Sequence, residues 1–242
     1  MTEIIAIATP AIYLRNRYTA VARSAMNGRE VVLLTLALFP VILVVNGLFL
    51  EGLSRFFLLE NQNLDILRAQ TPLWKQLLTL AILPAFMEES FFRGVLCEQF
   101  SKRNPLGAVF FSAFIFAVFH FQWQNSLAPF LFGLVLGYIY LYGGLKASIF
   151  SHFLYNFCSI LFVRFISDSW VVSFSKWPWV VRAGGVKNVM TAILLIGSAL
   201  GITMILRKSM KRPLPGGGAV IRKKEWIPTI ALVLVYVVKM VV

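Results

Sequence analysis

Long apolar runs recur along this chain, and they restrict its possible folds more than any other feature. Each run has about twenty residues, mostly leucine, valine, isoleucine and phenylalanine. An α-helix of that length can cross the ~30 Å hydrocarbon core of a bilayer. Of the 242 residues, 59% are hydrophobic and 14% are charged, which is the composition of a membrane protein.

The runs predict an all-α, polytopic bundle of about seven transmembrane helices. The predicted spans are 31–50, 74–100, 105–122, 126–142, 146–166, 187–206 and 226–242. A shorter run at 4–14 predicts an N-terminal interfacial or partial helix. The tryptophan-rich segment 167–181 predicts a stretch at the membrane interface, where indole rings are favoured. We expect residues 1–242 to form a single integral membrane domain, because no segment resembles a separate soluble domain.

Basic residues are concentrated in the connections between these runs. The chain has 23 Lys and Arg against 10 Asp and Glu. The clusters at 15–30, 101–104, Lys146 and 207–225 all fall on one face of a seven-span bundle, and the positive-inside rule makes that face cytoplasmic. Nucleic-acid binding is not expected, since no aromatic-interleaved basic surface accompanies the charge. Short connections and small size favour a bacterial cell membrane over the endoplasmic reticulum.

Two adjacent carboxylates interrupt the second apolar run, in the sequence MEESFFRG at 87–94. A charged side chain at bilayer depth costs several kcal/mol unless it is paired, hydrated or neutralised, so Glu88 and Glu89 are candidate functional residues. Glu89 and Arg93 are one helical turn apart and can form an ion pair, which leaves a purely structural role open for them. Glu88 points about 100° away around the helix, so we expect Arg93 to serve only Glu89.

Both histidines of the chain also lie in apolar runs. His120 ends the sequence FIFAVFH, where Phe116 is expected to be a packing residue. His152 lies in SHFLYN, with Asn156 one turn further along the same helix face. A carboxylate with a histidine can deprotonate a water molecule, and a second histidine with an amide can donate hydrogen bonds to an oxyanion. The set predicts a hydrolase site for acyl transfer without a serine or cysteine nucleophile.

Other types of site fit the sequence less well. It contains no H-E-x-x-H motif, no intramembrane aspartate pair and no Gly-x-Ser-x-Gly elbow. We expect no cofactor and no metal, although Glu88, His120 and His152 are chemically able to bind a metal ion. A transporter that uses Glu88 as a proton site is a further alternative, weakened by the lack of an internal repeat in the sequence.

Three sequence motifs, in order, resemble those of a known protein family. EESFFR at 88–93, FAVFH at 116–120 and HFLYN at 152–156 are similar to E-E-x-x-x-R, F-x-x-x-H and H-x-x-x-N/D. These are the motifs of the CAAX prenyl endopeptidase and bacteriocin-processing family, also called the Abi family. The resemblance covers residues 84 to about 160, within a motif-bearing core of about 73–166.

The resemblance implies a glutamic-type intramembrane endopeptidase. Its implied catalytic residues are Glu88, Glu89, Arg93, His120, His152 and Asn156. The resemblance implies that Glu88 activates a water molecule, which His120 positions. It also implies that His152 and Asn156 form the oxyanion site. Glu89 and Arg93 would support this arrangement. The implied substrate is a membrane-anchored protein or peptide, such as a prenylated tail, a bacteriocin leader or a C-terminal sorting tail. The alternative is a non-catalytic membrane binding or bacteriocin-immunity protein.

Overall fold

The structure is a computed structural model that describes residues 26–58, 71–120, 122–165, 176–182 and 185–211. Every regular element in these residues is helical, as predicted. In chain order the helices are α1 Gly28–Ser54, α2 over 73–101, α3 Pro105–Phe119, α4 Leu127–Phe165, α5 Pro178–Arg182 and α6 Val186–Lys211. Apolar side chains cover outer faces of the bundle, as in a membrane protein: Leu33, Phe86 and Phe110 are 59%, 50% and 59% exposed.

The predicted count of seven spans is not confirmed. By length and composition alone, two helical stretches of the described residues are suited to cross a membrane, Gly28–Ser54 and Leu127–Arg164. Helix α3 ends at Phe119, three residues before the predicted end of its span. The predicted span at 226–242 and the short run at 4–14 lie outside the described residues.

Helix α4 consists of two antiparallel arms that meet at Gly144. This residue has φ 79° and ψ −177°, a conformation that is essentially restricted to glycine. Ser148 Oγ lies 3.3 Å from the carbonyl oxygen of Leu136, and the rings of Phe132 and Tyr155 stack with centroids 3.9 Å apart. In one straight helix these pairs would be ~18 Å and ~35 Å apart, so the chain reverses at Gly144. The two arms correspond to the predicted fourth and fifth spans.

Helix α2 contains two π-helical stretches. They cover Leu77–Ile82 and Phe92–Cys97, and the α-helical stretch Leu83–Phe91 between them carries the two adjacent carboxylates. Pro84 has no backbone N–H, so the carbonyl of Leu80 loses the partner it would have in a regular α-helix. Single π-helical turns within α-helices are frequent at functional sites.

Two glycines on the first arm of α4 allow α3 to approach closely. A Cβ on Gly133 would lie 3.0 Å from Ala113, and one on Gly137 would lie 2.8 Å from Cγ1 of Val109. Small residues permit this approach of helix backbones in membrane proteins. The same packing leaves the carbonyl oxygen of Gly133 3.0 Å from Nη2 of Arg93 on α2.

One end of the bundle, called the basic end below, contains the start of α1, the α2–α3 connection, the α4 turn and the end of α6. Met26 donates its N–H to the carbonyl of Tyr142 at 3.0 Å, and Lys208 Nζ bonds Glu30 at 2.8 Å. A buried group, the basic-end cluster, joins these helices and consists of Val31, Leu34, Cys97, Phe100, Ala108, Val109 and residues 138–142. The predicted grouping of the four basic connections is thus confirmed for the described residues. That this end faces the cytoplasm stays a prediction.

The end of α1, the start of α2 and the α3–α4 connection lie at the other end of the bundle, called the opposite end below. There Phe57, just after α1, packs edge-on against Trp123 of the α3–α4 connection, with ring centroids 5.0 Å apart. Arg164, near the end of α4, donates a 3.1 Å hydrogen bond to the carbonyl of Thr71, just before α2.

Candidate active site

The three sequence motifs meet at one cavity between α2, α3 and both arms of α4. Its volume is about 290 Å³, and Glu88, His120, His152 and Asn156 line it. The remaining wall is apolar and aromatic apart from the hydroxyl of Tyr155. Four of the six predicted site residues therefore share this cavity, although the sequence separates them by up to 68 positions.

Glu89 lies at the centre of a buried hydrogen-bond network. Its Oε1 accepts from Arg93 Nη1 at 2.8 Å and lies 2.9 Å from His152 Nδ1, while its Oε2 accepts from Ser148 Oγ. Glu89, Arg93 and Ser148 are all inaccessible to solvent. The predicted Glu89–Arg93 ion pair is thus confirmed, and the additional donors satisfy the carboxylate as a buried charge requires.

The guanidinium of Arg93 is held by two further groups besides Glu89. Nη2 donates to the Gly133 carbonyl, and Cζ lies 4.6 Å from the ring centroid of Phe116, within the range of a cation–π contact. Phe116 is therefore a packing residue, as expected, and it also forms part of the cavity wall. Nε of Arg93 is buried without a hydrogen-bond partner among the described residues.

Glu88 points away from this network and into the cavity. Its side chain is 22% exposed, whereas that of Glu89 is fully buried. The Nε2 atom of His152 lies 3.9 Å from Oε2 of Glu88, which is too long for a direct hydrogen bond. The imidazole of His152 is therefore placed between the two carboxylates, and Arg93 serves Glu89, as the helical offset predicted.

The hydrogen bonds of the two imidazoles indicate which ring nitrogen remains for chemistry. Nδ1 of His120 lies 2.8 Å from the carbonyl oxygen of Phe116, and a carbonyl only accepts, so Nδ1 carries the hydrogen. Nε2 of a neutral His120 is then an acceptor. The same argument assigns the hydrogen on Nδ1 of His152, which faces the ionised carboxylate of Glu89. In both His120 and His152, Nε2 is therefore the ring nitrogen available to bind water or substrate.

The amide of Asn156 is anchored to α2. Its Nδ2 donates a 3.0 Å hydrogen bond to the carbonyl oxygen of Leu80, which cannot accept a hydrogen bond from the backbone nitrogen of Pro84 four residues later. An amide nitrogen has two hydrogens, so one remains for a group in the cavity.

Two features of this region were not predicted from the sequence. Ser148, His152 and Asn156 are spaced at i, i+4 and i+8, so the helical repeat alone places Ser148 on the face that carries the site. Glu98, which lies near the end of the predicted span 74–100, is fully buried and accepts a 2.5 Å hydrogen bond from Tyr140 Oη within the basic-end cluster. Nothing in the sequence around Tyr140 predicted this contact.

The geometry also bears on the alternative in which a metal ion is bound. Within the described part of the chain, no group of three or more His, Cys, Asp or Glu side chains is arranged to hold a metal ion. This arrangement therefore gives no support to a metal ion bound by Glu88, His120 and His152.

The fold and the site together define a helical protein of membrane type, with a cavity between its helices that is lined by polar and aromatic side chains. Residues 69–158 match one family model, described as type II CAAX prenyl endopeptidase Rce1-like. The match confirms the resemblance that the three motifs carry and covers all three of them. This is a family of CAAX-type proteases, so the match indicates a peptide hydrolase. No curated protein and no solved structure matches the chain.

Proposed function

We propose that this chain is a glutamic-type intramembrane endopeptidase, in which Glu88 activates the attacking water. The observation that carries the proposal is the contrast between the two adjacent carboxylates. Glu89 is fully buried and bonded on both oxygens, whereas Glu88 reaches the cavity. A general base must be able to approach water and accept its proton, and of this pair only Glu88 meets that condition.

In the proposed reaction, Glu88 removes a proton from a water molecule while the water oxygen attacks the carbonyl carbon of the scissile peptide bond. Nε2 of His120 accepts a hydrogen bond from the same water and orients it. The resulting tetrahedral oxyanion accepts a hydrogen bond from the remaining N–H of Asn156, and one from Nε2 of His152 when that nitrogen is protonated. Glu88 then gives its proton to the leaving nitrogen as the C–N bond breaks.

The Glu89–Arg93 pair acts in this proposal by positioning. Glu89 holds Nδ1 of His152, which directs Nε2 toward Glu88, and Arg93 balances the buried negative charge. Small displacements of catalytic groups can cost ~100-fold in rate, so a rigid buried pair behind the cavity is functionally useful.

The substrate in this proposal is a membrane-anchored protein or peptide. Prenylated tails, bacteriocin leaders and C-terminal sorting tails remain the candidates, and the cell membrane of a bacterium is the favoured location. The proposed reaction uses only residues of the chain and water, so it requires no cofactor.

The test compares purified wild-type protein with Glu88→Gln and Glu88→Asp. Glutamine keeps the shape of the side chain but cannot accept the proton, so cleavage should fall by ~100-fold or more. Aspartate keeps the carboxylate and should retain measurable cleavage. Mass spectrometry of membrane proteins would supply the readout, as new peptide termini that depend on Glu88.

The amount of folded protein recovered for each variant shows whether the substitution damages the fold. Activity measured after prolonged incubation with a chelator shows whether the reaction needs a metal ion. Activity that is lost to a chelator and restored by zinc would make the cavity residues metal ligands. Full cleavage by a well-folded Glu88→Gln would end the assignment and favour the non-catalytic binding or immunity protein.

A further inference from the structure

We infer that the active-site cavity opens toward the opposite end of the bundle, so that the substrate is cut on the membrane face away from the cytoplasm. This inference rests on the proposed function, because it specifies the substrate class of the same site: a membrane-anchored polypeptide whose scissile bond lies near the non-cytoplasmic boundary of its anchor. Three features of the structure carry it.

The first feature is the short distance from the site to the α3–α4 connection. His120 directly follows α3, and Ala128 and Pro129 belong to the first turn of α4, yet all three line the cavity. Phe116, whose ring lies 5.9 Å from that of His152, is four residues before His120, a rise of ~6 Å. The connection at the opposite end is therefore within about one helical turn of the site.

The second feature is the filled core between the site and the basic end. Along α2, Ser101 lies thirteen residues after Glu88, a rise of ~20 Å, and the basic-end cluster occupies this depth. Tyr140 and Tyr142 of that cluster are 1% and 2% exposed. A peptide arriving from the basic end would have to displace this packed core, whereas one arriving from the opposite end would not.

The third feature is the charge difference between the two ends. Segments 15–29, 102–103, 146 and 207–224, which contain or adjoin the basic end, hold fourteen Lys and Arg residues. Segments 55–75 and 164–187, which contain or adjoin the opposite end, hold seven. Lys and Arg near span ends are retained on the cytoplasmic side, so the opposite end faces away from the cytoplasm.

The composition of the α3–α4 connection agrees with this orientation. Residues 122–126, QWQNS, carry no charge, and four of the five have polar side chains. Trp123 packs against Phe57, and indole rings are enriched at the headgroup level of a bilayer. An uncharged, polar connection beside the cavity is compatible with the entry of water and an extended peptide at the membrane boundary. A lipidated tail presented from the cytoplasm would instead meet the basic end.

The first experiment locates the α3–α4 connection, which flanks the cavity, on one side of the membrane, independently of activity. A cysteine is introduced at Gln124 or Asn125, and in a matched variant at the exposed Lys102 of the basic end, and intact cells are treated with a membrane-impermeant maleimide. The unaltered chain, with buried Cys97 and partly buried Cys158, gives the background. Gln124→Cys and Asn125→Cys should be labelled in intact cells, and Lys102→Cys only after permeabilisation. The reverse pattern would overturn the inference.

The second experiment locates the cut. Membrane proteins from cells with the wild-type chain and from cells with Glu88→Gln are compared for termini that depend on Glu88. We expect these termini at the non-cytoplasmic boundary of the substrates' anchors. Termini on the cytoplasmic side would overturn the inference and leave the peptidase intact. If no terminus depends on Glu88, the peptidase proposal and the substrate class inferred from it both fail, and labelling then decides only which side of the membrane the α3–α4 connection faces.

Discussion

Asn156 donates a 3.0 Å hydrogen bond from Nδ2 to the carbonyl oxygen of Leu80, a residue 76 positions earlier in the chain. Pro84 makes this contact available, since it cannot donate to that carbonyl as another residue in a helix would. This hydrogen bond joins the part of α2 that Pro84 interrupts to the polar face of α4. It also holds the amide of Asn156 at the cavity wall.

We predict that Asn156→Ala slows cleavage by ~100- to 1000-fold, the usual effect of losing one oxyanion donor. It should also destabilise the protein by ~1–3 kcal/mol, because the Leu80 carbonyl loses its partner. Adding Pro84→Ala supplies an N–H for that carbonyl, so the double variant should regain thermal stability but not activity. Full cleavage by the double variant would show that Asn156 has only a structural role.

The Glu89–Arg93 pair should behave as a buried ion pair does when one partner is lost. Arg93→Met leaves Glu89 without its guanidinium, at a cost of ~3–5 kcal/mol, so folded yield and activity should both fall. Combining it with Glu89→Gln removes the uncompensated charge and should restore part of the folded yield, with little cleavage. Size-exclusion profiles of detergent extracts measure this. A double variant that folds no better than Arg93→Met would argue that the two are not partners.

Ser148 should contribute to stability through its bond to Glu89. Ser148→Ala removes one donor from a fully buried carboxylate, and hydrogen bonds to charged groups contribute ~1.5–3 kcal/mol. Ser159→Ala on the same arm is the matched control, since among the described residues its hydroxyl bonds only the Tyr155 carbonyl of its own helix, and it should change stability by less than ~0.5 kcal/mol. Thermal unfolding of both variants checks the difference, and equal melting temperatures would contradict the role given to Ser148.

The chain reversal at Gly144 should depend on glycine. Its φ of 79° with ψ near 180° is unfavourable for a residue with a Cβ, so Gly144→Ala should cost ~1–3 kcal/mol and lower the folded yield. Gly47→Ala in α1 is the control, because a Cβ there has no atom within 4 Å, and it should be neutral or stabilise by up to ~1 kcal/mol. Comparable yields for the two variants would show that the turn tolerates a side chain.

For the described residues, the sequence by itself determined that the elements are helical and fixed the side-chain directions within EESFFR. Apolar runs of about twenty residues indicated where helices form, because a helix needs about that many apolar residues to cross the hydrocarbon core. The intervals within EESFFR placed Arg93 beside Glu89 and turned Glu88 about 100° away, since helix geometry alone sets these directions. The structure agrees on both points.

Only the tertiary structure decided how separate helices meet. His152 lies between two carboxylates more than sixty positions earlier, and Asn156 lies on the Leu80 carbonyl, both because Gly144 reverses α4 and because glycines allow α3 to pack closely on it. Such contacts depend on the tilt, depth and register of packed helices, which the periodicity of a single helix does not specify. For that reason the motifs identified the residues of the site, and the packing determined which carboxylate reaches the cavity and toward which end the cavity opens.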